Sequence, residues 1–242
     1  ATALRQVRKD VEVVGHGEDD AKLGPDHVRI EGPDGKPRVV DLATAEGARA
    51  FARSLGLPRG QADQVARVLL AAAPGSRDEL AGIATVFARG ERGEPMPGRL
   101  VLSGHSTGQG VYDGKQAGHQ LFFKDLFALA AAMPRAAAKV EDVMLSACSS
   151  GYETSRRLFA TEVGLQEWSK HFPNLKTAWG YGGGADYHSP SGAGATGHIR
   201  IWEKSTRGDV DAVDASRVAK GTWRWENIAT WSNKEGYRPG RT

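Results

Sequence analysis

Cysteine is almost missing from this chain of 242 residues, which has a single one, Cys148. A lone thiol forms no internal disulfide, so the fold is not a disulfide scaffold, and the composition suits a reducing cytosol. Long apolar runs are missing too. No stretch approaches the ~20 apolar residues of a membrane span, and Ala1-Thr2-Ala3-Leu4-Arg5-Gln6 lacks the apolar core of a secretory signal. The first residue is not Met, which points to a fragment or a processed form. Charge of one sign is also scarce: 32 Lys and Arg face 29 Asp and Glu, a formal net charge of +3. The basic residues are scattered rather than striped, which argues against a nucleic-acid partner. His16, His27, His105, His119, His171, His188 and His198 show no close ligand spacing. A metal centre is therefore not expected, and no cofactor is expected either.

What remains is ordinary globular material, 40% hydrophobic and 25% charged, long enough for a full core. Residues 1–42 read as β-rich. Val11-Glu12-Val13-Val14 predicts a strand, and Val28-Arg29-Ile30 and Arg38-Val39-Val40 flank the turn sequence Gly32-Pro33-Asp34-Gly35. Three helices follow. Thr44 caps the first, which runs to Leu55; the second spans Gln61 to Ala73 before Pro74; Ser76 caps the third, with Glu79 at the capping-box position, to about Arg89. Gly90–Gly98 is a charged loop.

From Arg99 the pattern alternates between strand and helix. Arg99-Leu100-Val101-Leu102-Ser103-Gly104-His105 and Val143-Met144-Leu145-Ser146-Ala147-Cys148 are short apolar runs that break into small residues, as buried strands do at their open ends. Between them, Val111-Tyr112 suggests a short strand, and Phe122, Leu126, Leu129 and Met133 share one face of a helix ended by Pro134. A helix from about Thr154 to Phe172 and a strand from Leu175 to Trp179 come next. Trp202, Trp223, Trp225 and Trp231 concentrate near the C-terminus, where they are expected to pack that segment onto the sheet. The alternation argues for right-handed crossovers and a mostly parallel sheet. One strand would deliver an imidazole and its neighbour a thiol to the same rim, where open α/β sheets place their sites.

Cysteine catalysis needs a thiolate, a proton donor for the leaving amine and donors for the oxyanion. Ala147, Ser149, Ser150 and Gly151 leave room for a substrate backbone beside Cys148. The His-then-Ala-Cys order, with about 43 residues between the pair, resembles the clan CD caspase-like cysteine peptidases, in which the separation is ~50. The run Leu145-Ser146-Ala147-Cys148-Ser149-Ser150-Gly151 is most similar to the bacterial CHAT branch. The resemblance covers about residues 99–205. It implies a three-layer α/β/α sandwich with a central, mainly parallel sheet, Cys148 as nucleophile and His105 as acid/base. Backbone N–H groups of Cys148 and Ser106 would serve the oxyanion. Ser106 stands where the family usually has Gly, so Gly104 or Gly108 would absorb the turn. Ser146 stands where caspases carry a pocket Gln, so their preference for Asp is not carried over. Residues 180–190 resemble the loop that lines the first specificity pocket. Asp186 there would select a basic residue before the cut, or is simply a turn residue; Asp113 is a weaker candidate for the same role.

Two rivals stay open. Gly104-His105-Ser106-Thr107-Gly108 matches the G-x-S-x-G elbow of serine hydrolases, with His188 or His198 downstream, although Gln109-Gly110-Val111-Tyr112-Asp113-Gly114 is poor helix material. The other is a caspase-like fold used as a non-catalytic interaction module, since a buried Cys often acts as a small hydrophobe. The expected organisation is an N-terminal β-hairpin and helical subdomain over 1–95 and a caspase-like catalytic domain over 96–242. Expected partners are a protein or peptide substrate and a regulatory partner, with no membrane span. The richness in Ala, Arg and Gly points to the cytoplasm of a bacterium with GC-rich DNA.

Overall fold

The computed structural model describes residues 23–32, 34–106, 108–112, 120–147, 150–153, 156–157, 161–181 and 228–239. In chain order its elements begin with β1 (His27–Glu31), β2 (Pro37–Asp41), α1 (Ala45–Ser54), α2 (Arg59–Ala71) and α3 (Arg77–Glu91). There follow β3 (Arg99–Ser103), β4 (His105–Ser106), β5 (Gly110–Tyr112), β6 (Gln120–Phe122), α4 (Phe123–Ala132) and α5 (Pro134–Ala137). The remainder are β7 (Asp142–Ser146), β8 (Arg156–Arg157), β9 (Thr161–Glu162), α6 (Leu165–His171), β10 (Thr177–Tyr181), β11 (Ile228–Ser232) and β12 (Gly236–Arg238). This is the α/β/α class, with an N-terminal hairpin, a helical extension and a central mixed sheet. The strand expected at Val11–Val14 and the residues Trp202, Trp223 and Trp225 lie outside the described residues. Contacts divide the chain into two units. One holds the described residues to Met96 with those of Tyr112–Lys139; the other holds Pro97–Val111 and those from Val140 onward.

In the first unit, β1 and β2 pair antiparallel from His27↔Asp41 to Glu31↔Pro37. The Gly35 N–H donates to the Gly32 carbonyl at 2.9 Å and closes the turn. Thr44 caps α1 as expected, its Oγ1 accepting the Gly47 N–H at 3.0 Å. The spacing of Ala62, Val65, Ala66 and Leu69 puts the buried face of α2 on one side.

The start of α3 departs from the sequence reading. Ser76 makes no cap bond to the helix; its hydroxyl donates back to the Ala73 carbonyl at 2.9 Å. Asp26 takes over the task. Its carboxylate accepts the Gly75 N–H at 2.9 Å, the Arg77 N–H at 3.1 Å and Arg77 Nη1 at 2.7 Å, all buried. A carboxylate at this end also complements the helix dipole. Further on, Pro134 ends α4, as expected, and opens α5, whose first amides at Arg135 and Ala136 donate to buried Glu91 at 2.8 and 3.0 Å. Leu126, Leu129 and Met133 are fully buried.

The second unit is built on a five-stranded sheet in the order β12-β11-β10-β7-β3. β3, β7 and β10 run parallel, while β11 and β12 are added antiparallel beyond β10. The C-terminal segment does join the sheet, with Trp231 opposite Ala178. Met144 and Trp179 form a buried cluster on β7 and β10, with Val101 of β3 packed against it. α6 packs on β10 and β11, and Trp168 stacks on Phe172 with ring centroids 5.9 Å apart. The long helix expected from Thr154 is much shorter. Among the described residues of that stretch only Leu165–His171 is helical, and Arg156–Arg157 and Thr161–Glu162 pair as antiparallel strands instead. Two β-branched residues, Thr161 and Val163, followed by Gly164 disfavour helix at that point.

Candidate functional site

β3 and β7 are direct neighbours, and their register runs from Arg99↔Asp142 to Ser103↔Ser146. His105 and Cys148 therefore each follow a mutually paired serine by two residues, and adjacent strands lie about 4.8 Å apart. Both strands leave the sheet at the same rim. The sequence expectation of neighbouring parallel strands holds. Cys148, Asp113 and Asp186 themselves lie outside the described residues, as do His16, His119, His188 and His198. Of Ser146 only the backbone is described, as the last residue of β7.

His105 differs in detail from a residue at the end of β3. The chain breaks at Gly104, and His105 opens β4, exposed, beside β5 in a second sheet. Ser106 Oγ accepts the Gly108 N–H at 2.9 Å, closing a tight turn. Gly108 has φ +85°, a conformation available chiefly to glycine, so it absorbs the turn after Ser106. No helix follows Ser106; β5 does. The strand–turn–helix of a nucleophile elbow is thus not the geometry here.

Ser150 and Gly151 are tightly fixed. Ser150 is fully buried, and its hydroxyl lies 2.6 Å from the Ala147 carbonyl and 3.1 Å from that of Leu145. The same oxygen accepts the Tyr181 N–H at 3.1 Å. Gly151 donates its N–H to the Tyr181 carbonyl at 2.8 Å, and its own carbonyl accepts the Tyr237 hydroxyl at 2.8 Å. The approach to β10 is too close for side chains. A Cβ on Gly151 would lie 2.7 Å from the Gly180 carbonyl, and one on Gly180 would lie 2.3 Å from that of Ser150.

The two loops also share a support. Val163 donates its N–H to Gly108 at 2.8 Å on the histidine side, and Leu165 donates to Tyr152 at 2.7 Å on the cysteine side. Sequence reasoning picked out Ser150 and Gly151 only as small neighbours of Cys148. Tyr181 and Tyr237 carried no signal, and the one available hint was glycine at both 151 and 180.

A cavity of about 640 Å³ lies within the first unit, lined by β1 and α3 residues including Arg29, Glu31, Asp78 and Thr85. None of the candidate site residues lines it. Among the described residues no group of three or more His, Cys, Asp or Glu is placed to hold a metal, and no helix is long and apolar enough to cross a membrane. The architecture is consistent with a caspase-like fold. No family model, curated protein or solved structure matches the chain.

Proposed function

We propose that this chain is a caspase-like domain that receives a polypeptide segment at the β3–β7 rim and cleaves it as a cysteine endopeptidase. The observation that supports the reading is the Ser103↔Ser146 pairing of parallel neighbours, after which His105 and Cys148 each follow two residues on in sequence. In this reading the Cys148 thiolate attacks the scissile carbonyl carbon, and backbone N–H groups of Cys148 and Ser106 stabilise the oxyanion. His105 protonates the departing amine, and water then releases the acyl group from sulfur, regenerating the thiol. Asp186 is proposed to favour a basic residue before the cut. A peptide library preferring Asp or an uncharged residue there would remove that role without touching the dyad.

A second reading rests on the architecture itself: the parallel β3, β7 and β10 with the added β11 and β12 serve equally a non-catalytic interaction module of caspase-like fold. The two readings part on one experiment: labelling with a peptidyl acyloxymethyl ketone, with adduct mapping and turnover assays of Cys148→Ala and Ser106→Ala. The peptidase reading expects an adduct on Cys148, no turnover in Cys148→Ala and substantial turnover in Ser106→Ala. Specific peptide binding with neither adduct nor turnover would establish the module instead.

A further inference from the structure

The turn that ends α3 gathers more positive charge than its neighbours neutralise. Gly93 there has φ +89°, and the Glu94 N–H bonds back to the Arg89 carbonyl at 2.9 Å. Arg92 grips the Glu94 carboxylate, with Nε 2.7 Å from one oxygen and Nη2 3.1 Å from the other. Its Nη1 also donates to the Leu55 carbonyl at the end of α1. Lys139 reaches the same turn from beyond α5, but its ammonium donates to the Glu94 carbonyl at 2.7 Å and to no carboxylate. Arg135 passes beside Gly93, where an added Cβ would lie 3.4 Å from its Nη2. The Arg135 side chain is exposed and makes no hydrogen bond or ion pair among the described residues. The Arg92 hydrogen bond holds the Glu94 carboxyl below its ordinary range, and the charges of Arg92, Arg89 and Lys139 add to it. The other carboxylate nearby, Glu91, is buried and bonds to Gln61 and the first amides of α5. The dipole of α3 accounts for Arg89 in its last turn, but not for Arg135 or Lys139, which come later in the chain.

We infer that this turn is a docking surface for an acidic polypeptide segment of a partner, with Arg135 and Lys139 taking its carboxylates. Charge complementarity calls for an anion. The Arg135 guanidinium keeps its whole fork of donors, a shape that meets a carboxylate through two parallel bonds, and the Lys139 ammonium has donors left beyond the one it uses. The mixture of groups favours a polypeptide over a nucleic acid. A peptide brings carboxylates for the two cations and backbone N–H groups for the remaining lone pairs of Glu94. A phosphate backbone brings acceptors and would face the Glu94 charge. The chain's net charge of +3 also lacks the strength of a nucleic-acid footprint. The surface lies wholly in the first unit and is independent of the chemistry proposed for Cys148.

The test is fluorescence anisotropy, with the full chain titrated into a fluorescein-labelled Glu/Ser peptide, a Gln/Ser peptide of equal length and a single-stranded DNA oligonucleotide. Saturable binding of the Glu/Ser peptide is expected, tighter than that of either other probe and weakening as salt rises. Two exposed ion pairs of ordinary surface strength correspond to a roughly two- to thirtyfold change in Kd. Arg135→Gln combined with Lys139→Gln is expected to weaken peptide binding by about that factor. Arg135→Gln alone breaks no described bond and should give part of the loss, so the result does not hang on the fold of the double variant. Arg38→Gln removes an exposed charge from β2 and should leave binding unchanged. Three results overturn the inference: no saturable binding of the Glu/Ser peptide, a loss in the double variant no larger than in Arg38→Gln, or tighter binding of the oligonucleotide, which would assign the surface to nucleic acid.

Discussion

Replacing Asp26 is the sharpest probe of how the first unit holds its helices. The carboxylate is 7% exposed and faces buried Arg77, with Nη1 at 2.7 Å. It also satisfies two amides at the start of α3, those of Gly75 and Arg77. Asp26→Ala strands the guanidinium in a buried site and leaves both amides without their acceptor. Breaking a buried pair from one side costs about 3–5 kcal/mol. Asp26→Asn keeps an oxygen for the amides and tolerates φ +62°, the left-handed conformation found at this residue. It loses only the charge, for about 1.5–3 kcal/mol, the strength of hydrogen bonds to charged groups. Ser76→Ala is the control. Ser76 does not cap α3, so its replacement should cost no more than about 1.5 kcal/mol. Urea denaturation followed by far-UV circular dichroism gives all three values, since α1 to α5 belong to this unit. If Ser76→Ala costs as much as Asp26→Ala, or if Asp26→Ala costs less than ~1 kcal/mol, the assignment of Asp26 as the cap is wrong.

Asp125 on α4 offers a test by pH. Burial pushes its carboxyl above the usual range, with the charges of Lys124 and Arg77 and the Ala73 amide pulling the other way. Its Oδ2 has no hydrogen-bond partner among the described residues. Below the unfolded value of about 3.9 the folded and unfolded chains both carry the proton and no penalty exists. As pH rises from there through the raised folded value, the unfolded chain ionises first and stability falls, levelling off above it. Asp125→Asn should therefore stabilise the neutral-pH protein by about 0.5–2 kcal/mol, a gain that fades in acid. Melting curves across pH check this, and a gain that is constant with pH would refute it. Gly180→Ala places a methyl against the Ser150 carbonyl, where only backbone can yield. It should cost about 1–3 kcal/mol; an unchanged melting temperature would show that the approach there is looser than described.

The parts of this fold that could be read from the sequence are those set by neighbours along the chain. Thr44 before a run of helix formers, the turn residues at Gly32 to Gly35 and the apolar bursts at Leu100 and Val143 all act within a few residues of themselves. The two runs of matching length that break into small residues marked β3 and β7 as strands, and their adjacency, the condition for a shared rim, is met. What escaped was set at a distance. Asp26 caps a helix about 50 residues downstream, and no local pattern marks it. The helix of Leu126 and Leu129 showed its apolar face, but periodicity does not say which neighbour covers it; α2, α3 and α5 do. The sequence predicts a helix from about Thr154 to Phe172, yet only the second half of that stretch has the backbone preference for one. At the site, the order of His105 and Cys148 was visible. The fastening of Ser150 and Gly151 was not, because it depends on backbone atoms and on Tyr237.

The antiparallel pair β11–β12 has a consequence for solubility. Without it, β10 would be the border of the sheet, and its Ala178-Trp179-Gly180-Tyr181 would offer unpaired amides and carbonyls to any passing chain. With it, the border moves to a strand of three residues, Gly236-Tyr237-Arg238, whose arginine pairs with Glu235 at 2.9 Å. A border so short and charged is a poor template for strand addition. Shortening the chain before residue 228 would uncover an aromatic border several residues long, and the expected product is a self-associating, fibre-prone protein.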